Sequence, residues 1–161
     1  MQTDELIDLF DIPFAFRGQP TPLQPQLRII WGLSILVLIL SICSRSNRSS
    51  IPRLHVLNWA LRSSQNRERL ISLLEDNSSP LGILVRYEPG FNRAIEYAIA
   101  ESIVEPMGSS QNLRIQLLEK GKQFAQEISD LSDCLEEEKI FLRERGAAVN
   151  ETFVKNLLRH R

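Results

Sequence analysis

The sequence predicts a mainly α (α+β) protein, and three observations indicate this class. Several segments place apolar side chains at the three- and four-residue spacing of amphipathic helices. Two short extended segments, 104–106 and 113–117, are separated by the turn residues 107–112. A helix before this hairpin and another after it give the order of a winged helix-turn-helix core. An extended N-terminal arm and C-terminal helices complete the predicted architecture.

Residues 1–26 are predicted to form the arm. Their apolar side chains lie among acidic ones, and Pro20, Pro22 and Pro25 prevent a helix from continuing. Because such a segment cannot build a core of its own, it packs either on its own domain or on a partner, and the sequence leaves both open. The arm residues that would contact a partner are Leu9, Phe10, Phe14 and Phe16.

The segment 29–43 predicts a first helix that is buried on all sides. No charged residue lies between Arg28 and Arg45, and 35–40 is wholly aliphatic. A membrane-spanning helix needs about 20 apolar residues, and this stretch is shorter. The sequence therefore favours a central core helix, with no membrane as a partner.

A polar loop is predicted over 44–50, followed by a helix. Ser50 can cap this helix, and Pro52 fits its first turn, where the missing N–H costs nothing. The helix is predicted to continue over 65–75, and the turn residues 76–80 end it. The residues expected to be buried in its first part are Leu54, Val56, Leu57, Trp59 and Leu61.

The helix before the hairpin is predicted over 89–103, after a short strand over 83–87. In a winged-helix DNA reader this helix presents Arg, Lys, Asn or Gln to base edges. Its outward face here carries one basic residue, Arg93, and two acidic residues, Glu96 and Glu101, so it would bind phosphates poorly. The sequence therefore argues against operator recognition by this helix.

Apolar residues beyond the hairpin predict a near-heptad seam made by Phe124, Ile128, Leu131, Leu135 and Leu142. Gly146 ends that segment, and Asn150 is expected to cap a last helix.

These patterns divide the chain into an arm (1–26), a winged helix-turn-helix domain (27–131) and a C-terminal helical extension (132–161). The residues of the extension that would contact a partner are Leu135, Leu142, Phe153 and Leu157.

The composition and the net charge bear on the partners and the cellular compartment that we expect for this protein. The chain has 161 residues and a formal net charge of −1, so no overall field attracts nucleic acid or an anionic membrane. An acidic start, with Asp4 and Glu5, does not fit a secretory signal. Cys43 and Cys134 lie far apart beside apolar residues, as buried thiols of a reducing compartment do. We therefore expect a cytoplasmic protein.

No constellation in the sequence predicts catalysis. There is no glycine-rich phosphate loop, and His55 and His160 have no partners at metal-ligand spacing. Cys43 ends an apolar helix, where its thiol would stay protonated. We therefore expect no enzyme activity, no cofactor and no metal.

Basic residues are concentrated in a segment that contains Glu68 as its one acid. This segment would be a solvated helix face, a contact for the phosphate backbone of double-stranded DNA, or a contact for an acidic partner. Its arginines are Arg45, Arg48, Arg53, Arg62, Arg67 and Arg69.

Four phrases of the sequence carry a resemblance to a known family. They are PRLHVLNWALR at 52–62, LVRYEP at 84–89, NRAIEYA at 92–98 and IQLLEKG at 115–121. With the aliphatic first helix, they resemble the middle component of bacterial three-component ABC-ATPase systems, the group that includes the Lamassu defence operons. The similarity covers about 27–128.

This resemblance implies a non-catalytic adaptor. Such a subunit would sit between an SMC-like ABC ATPase and an effector, often a nuclease, in defence against phage or plasmid DNA. The alternative from the fold alone is a winged-helix DNA-binding transcriptional regulator.

Overall fold

The computed structural model describes residues 24, 28–76, 85 and 87–159. Except for Gln24, the predicted arm lies outside the described residues, and so do most of the predicted strand over 83–87 and His160. The elements are α1 (Ile29–Ile42), a 3₁₀ turn (Arg45–Asn47), β1 (Arg48–Ser50), α2 (Ile51–Leu61), α3 (Ser64–Asp76), α4 (Pro89–Ala100), β2 (Val104–Met107), β3 (Arg114–Leu117), α5 (Glu119–Asp130), α6 (Glu136–Arg145) and α7 (Glu151–Arg159).

The sheet and the helices before it have the winged-helix order, with α3 added between α2 and α4. The three strands are antiparallel in the order β1-β3-β2. The hairpin register pairs Val104 with Leu117 and Met107 with Arg114. The predicted fold class, mainly helical with a small winged-helix sheet, is confirmed.

The third strand of the sheet is not where the sequence predicted it. Val85 and Tyr87 are described and lie in no strand. Instead, β1 comes from the predicted polar loop, and Ser49 pairs with Ile115 on the free edge of β3. This segment has no apolar alternation, so the backbone of β3 holds it as a strand rather than its own side chains.

Helix α1 forms the centre of the core, as predicted. Every side chain from Ile35 to Leu40 is fully buried, and α1 packs against α2, α4, α5 and α6. A Cβ on Gly32 would lie 2.8 Å from the Cβ of Ala94, so the missing side chain lets α1 and α4 approach closely. Within the described part of the chain, none of the helices has the length and apolar character needed to cross a membrane.

Helix α4 ends three residues earlier than predicted. Ser102 adopts φ 55°, and the N–H of Ile103 donates to the carbonyl of Ala98 at 2.9 Å. The N–H of Ser102 donates to Ile99 at 3.1 Å. These two bonds form the Schellman motif, which stops a helix even though serine replaces the usual glycine.

The predicted continuous seam near the C-terminus is wrong. Helix α5 ends at Asp130, and Leu135 has φ 53° immediately before α6 begins. The buried Lys139 ammonium donates to the carbonyls of Ile128 and Leu131, which satisfies the end of α5. The three acids in the first turn of α6 favour a helix start there because they face its positive dipole end.

The two helix caps predicted from sequence are present. The Ser50 hydroxyl accepts from the N–H of Arg53 at 3.3 Å, and the Asn150 side-chain oxygen accepts from the N–H of Phe153 at 2.9 Å. Helix α6 packs on α1 and α7 packs on α2. The division at 131/132 stays a prediction.

Candidate functional site

The six arginines predicted as one basic segment do not share one surface. Arg62 pairs with Glu88 at 2.5 Å, and Arg67 pairs with Glu137. Arg69 is exposed on α3. Only the group near β1, at Arg45 and Arg48, stays together on an open surface. The pairings on α3 and at the end of α2 follow from tertiary contacts that sequence spacing does not show.

Arg53 lies inside the protein, which corrects its prediction as a surface contact. The residue is 6% exposed. Its guanidinium donates to the carbonyls of Val149 at 2.5 Å, Cys43 at 2.8 Å and Gly146 at 3.0 Å, and to the hydroxyls of Ser44 at 2.8 Å and Ser49 at 3.2 Å. This side chain therefore ties the loop before β1 to the loop before α7.

All five of these acceptors are neutral. A buried cation normally has a carboxylate partner, because dipoles compensate only part of the lost hydration. Within the described residues, Arg53 forms no ion pair. Its positive charge is therefore held by dipoles alone, without a carboxylate partner among the described residues.

That surface is an open cleft of about 780 Å³, between the loop before β1, β3 and the start of α7. Arg45, Arg48 and Arg114 are exposed in its walls, and Arg53 also lines it. None of the three exposed arginines forms an ion pair with a described residue. The cleft therefore brings together three exposed arginines that have no carboxylate partner among the described residues.

The register of the sheet explains why Arg48 and Arg114 face the same way. Arg114 lies opposite Ser50, and Arg48 lies opposite Gln116. Directly opposed residues share a face, and Arg114 lies two positions before Gln116 on β3. The two arginines are therefore diagonal neighbours on one face, with backbone positions about 7–8 Å apart. Ser49 and Ile115 point to the buried face.

One carboxylate, that of Glu151, lines the cleft. It accepts from the Ser50 hydroxyl at 2.7 Å and from the Ser50 N–H at 3.4 Å. Cys43 also lines the cleft, and burial raises the pKa of its thiol, although Arg53 partly opposes that shift. A protonated thiol is a poor nucleophile, so burial keeps Cys43 in its less reactive form.

His55 is held by contacts on three sides. It is fully buried, stacks on Tyr87 at a centroid distance of 4.1 Å, and meets the edge of Phe91 at 5.4 Å. Its Nε2 lies 2.8 Å from the Asn92 side-chain oxygen, and an amide oxygen only accepts, so Nε2 carries the proton. The other nitrogen, Nδ1, is buried without a hydrogen-bond partner. Protonation of the neutral ring would therefore create a cation whose Nδ1–H has no hydrogen-bond acceptor.

Acid should destabilise the protein through His55. Burial lowers the pKa of His55, against weaker raising effects of Asn92 and Glu88. Its neutral form therefore stabilises the fold fully above the unfolded pKa of about 6.5, and this stability is lost as pH falls through the lower folded pKa. We expect the melting temperature to fall between about pH 7.5 and 5.5, and His55→Gln, which cannot titrate, to flatten that profile. An unchanged slope in His55→Gln would contradict this assignment.

A second surface feature is an apolar groove of about 400 Å³ beside α4. Ile30 is 57% exposed and Tyr97 is 47% exposed, and Leu33, Ile103 and Phe124 line the groove with them. Its rim is charged, with Glu101, Lys120 and Glu127. We call this surface the α1–α4–α5 groove.

The residues of the C-terminal extension predicted to contact a partner lie mostly inside. Leu142 is 1% exposed and Leu157 is 7% exposed, so both belong to the core and the prediction is wrong for them. Leu135 and Phe153 are half-buried and pack against that core. The apolar positions predicted as a partner surface instead hold α6 and α7 to the domain.

The sequence did not indicate two of the charged residues of the cleft or most residues of the groove. Arg114 reaches the cleft only because β3 pairs with β1, and Glu151 only because α7 packs on α2. Ile30 and Tyr97 had a signal, since each is a large apolar side chain at an outward helical position. Comparisons of the chain with known protein families, with curated proteins and with solved structures find no match.

Proposed function

We propose that the chain is a non-catalytic adaptor that links an SMC-like ABC ATPase to a nuclease-type effector in a bacterial complex that defends against phage or plasmid DNA. The resemblance in the sequence supports these partners. The two distant cysteines, each beside apolar residues, support a cytoplasmic location. The observation that carries the adaptor role is the α1–α4–α5 groove. Its apolar side chains lie beside the helix that a DNA-reading winged helix would use for bases.

The exposed face of α4 supports protein binding over base reading. Asn92, the one amide on that face, has its oxygen beside His55 Nε2 at 2.8 Å. Arg93 is its one basic side chain, next to the exposed Glu96. A helix with this face offers few hydrogen-bond donors to base edges and repels phosphate.

The groove also indicates the chemistry of the partner segment. Lys120, the one cation of its rim, is held by Glu101 at 3.2 Å. Glu127 on the rim and the nearby Glu96 form no ion pair with a described residue. An apolar segment flanked by basic residues complements this surface. We assign that segment to the ATPase or effector subunit.

The test replaces two exposed groove residues and measures assembly. A neighbouring gene that encodes a Walker A motif and long coiled coils would supply the ATPase for co-expression. Ile30→Asp with Tyr97→Asp should reduce co-purification of that ATPase or of the effector at least tenfold, because a charge would enter the desolvated centre of the interface. Both side chains are exposed, so the unfolding transition should change little.

Ile140→Asp is the matched control. Ile140 is also an exposed isoleucine on a helix, at 43%, and lies outside the groove. Assembly should survive this change. Equal assembly by the groove variant and the wild type would overturn the proposal. Tight, sequence-selective DNA binding by the isolated chain that Arg93→Ala abolishes would favour the transcriptional regulator instead.

A further inference from the structure

The cleft above Arg53 has the charge and lining of a phosphate site. Among the described residues, four guanidinium groups and one carboxylate line it, a local formal charge of +3 in a chain whose net charge is −1. The carboxylate is already hydrogen-bonded to Ser50. Arg53 cannot turn toward solvent or pair with a carboxylate, since its donors are committed to neutral acceptors. The field in the cleft therefore favours an anion.

The lining distinguishes phosphate from an acidic protein surface. Protein interfaces depend on buried aromatic and large apolar anchors. Among the described lining residues there is no aromatic side chain, and the apolar ones are Ile42, Cys43 and Ala147. The guanidinium group of arginine matches phosphate oxygens in a bidentate geometry, and three exposed arginines line this cleft. Phosphate is the ligand class that this lining fits.

The same lining favours a duplex backbone over a nucleotide or a single strand. Proteins hold unpaired bases by stacking them on aromatic rings, and the described lining of this cleft offers no such ring. A duplex presents its phosphates outward with its bases already stacked. Arg48 and Arg114, diagonal on one sheet face, can contact neighbouring phosphates, and Arg45 extends the line.

We propose that Arg45, Arg48 and Arg114 form a site that binds the phosphate backbone of double-stranded DNA without reading its sequence, over the buried charge of Arg53. The choice of DNA as the source of the phosphate rests on the proposed function, since such an adaptor acts in a complex that meets foreign DNA. The site itself rests on the cleft alone. It lies apart from the α1–α4–α5 groove, and the two linings share no residue.

The test uses the full chain without partners and measures fluorescence anisotropy of two unrelated short duplexes. Both should bind with equal affinity and weaken steeply between about 50 and 200 mM salt. The triple variant Arg45→Gln, Arg48→Gln and Arg114→Gln should bind at least tenfold more weakly, with a salt slope smaller by about 2 to 3 units, at about 0.9 per contact. A single strand, ATP and polyglutamate should compete poorly with the duplex.

The control triple is Arg69→Gln, Arg93→Gln and Arg143→Gln. These exposed arginines lie outside the cleft, and their replacement changes the net charge equally. This variant should keep the wild-type affinity and slope. Absence of duplex binding at low salt, equal loss in the control, or full competition by polyglutamate would each overturn the proposal, the last in favour of an acidic protein partner. Because the assay contains no ATPase, its failure is distinct from failure of the assembly test.

Discussion

Leu36→Asp should unfold the protein. Leu36 is fully buried at the centre of α1, and its neighbours in the chain from Ile35 to Leu40 are equally buried. An aspartate there would either ionise in an apolar surrounding or take up a proton and still leave its oxygens unbonded. Either outcome costs about 4 kcal/mol or more, a large share of the 5–15 kcal/mol that stabilises a typical domain.

Urea denaturation followed by circular dichroism measures this effect. Leu36→Met is the control, since a volume-conserving change costs less than about 1.5 kcal/mol. The aspartate variant should show no cooperative transition or a greatly lowered midpoint. A midpoint within about 1 kcal/mol of the wild type would mean that α1 is not covered on all sides.

Arg53→Met should cost about 3 kcal/mol. The substitution keeps much of the side-chain volume, but it removes the donor to the carbonyls of Val149 and Gly146, both in buried hydrogen bonds. Each orphaned carbonyl costs about 1–3 kcal/mol. Methionine carries no charge, so the variant avoids the cost of desolvating a guanidinium, and this offsets part of the loss. The net change in the free energy of unfolding is still destabilising. The native guanidinium is fully hydrogen-bonded, whereas the two carbonyls in the variant have lost their donor.

Arg69→Met is the control for this change, because Arg69 is exposed and forms no ion pair with a described residue. It should shift the free energy of unfolding by less than about 0.5 kcal/mol. Hydrogen exchange should also accelerate at amides 146–149 in the Arg53 variant and not in the control. Equal stabilities of the two variants would show that the guanidinium does not hold the two loops together.

The parts of the fold that local sequence determines were predictable. The aliphatic run of α1 requires burial whatever its neighbours, and the turn residues before Arg114 lead to a hairpin. Ser50 and Asn150 cap helices through bonds that span three residues, so the chain shows them directly. These features need no knowledge of distant contacts.

The misplaced features depend on distant contacts. Arg48–Ser50 becomes a strand because β3 offers it a free edge. Arg53 looks like a surface residue until the loop before α7 supplies its acceptors. The seam after Phe124 breaks because Lys139 closes α5, although the run of acids at Glu136 already indicated a new helix. Charge and spacing alone therefore located the basic segment but not the cleft within it.

The Arg53 bonds also have a consequence for the order of folding during synthesis. The acceptors at Val149 and Gly146 follow Arg53 by 96 and 93 residues, and Glu151 meets Ser50 across 101 residues. A nascent chain that ends before Gly146 lacks two of the five acceptors that hold the guanidinium, although those at Cys43, Ser44 and Ser49 are already present. Synthesis must therefore reach residue 149 before all five acceptors of the Arg53 guanidinium are present. Contacts of this sequence separation slow folding and keep apolar surface open to chaperones until residues 146–151 have been synthesised.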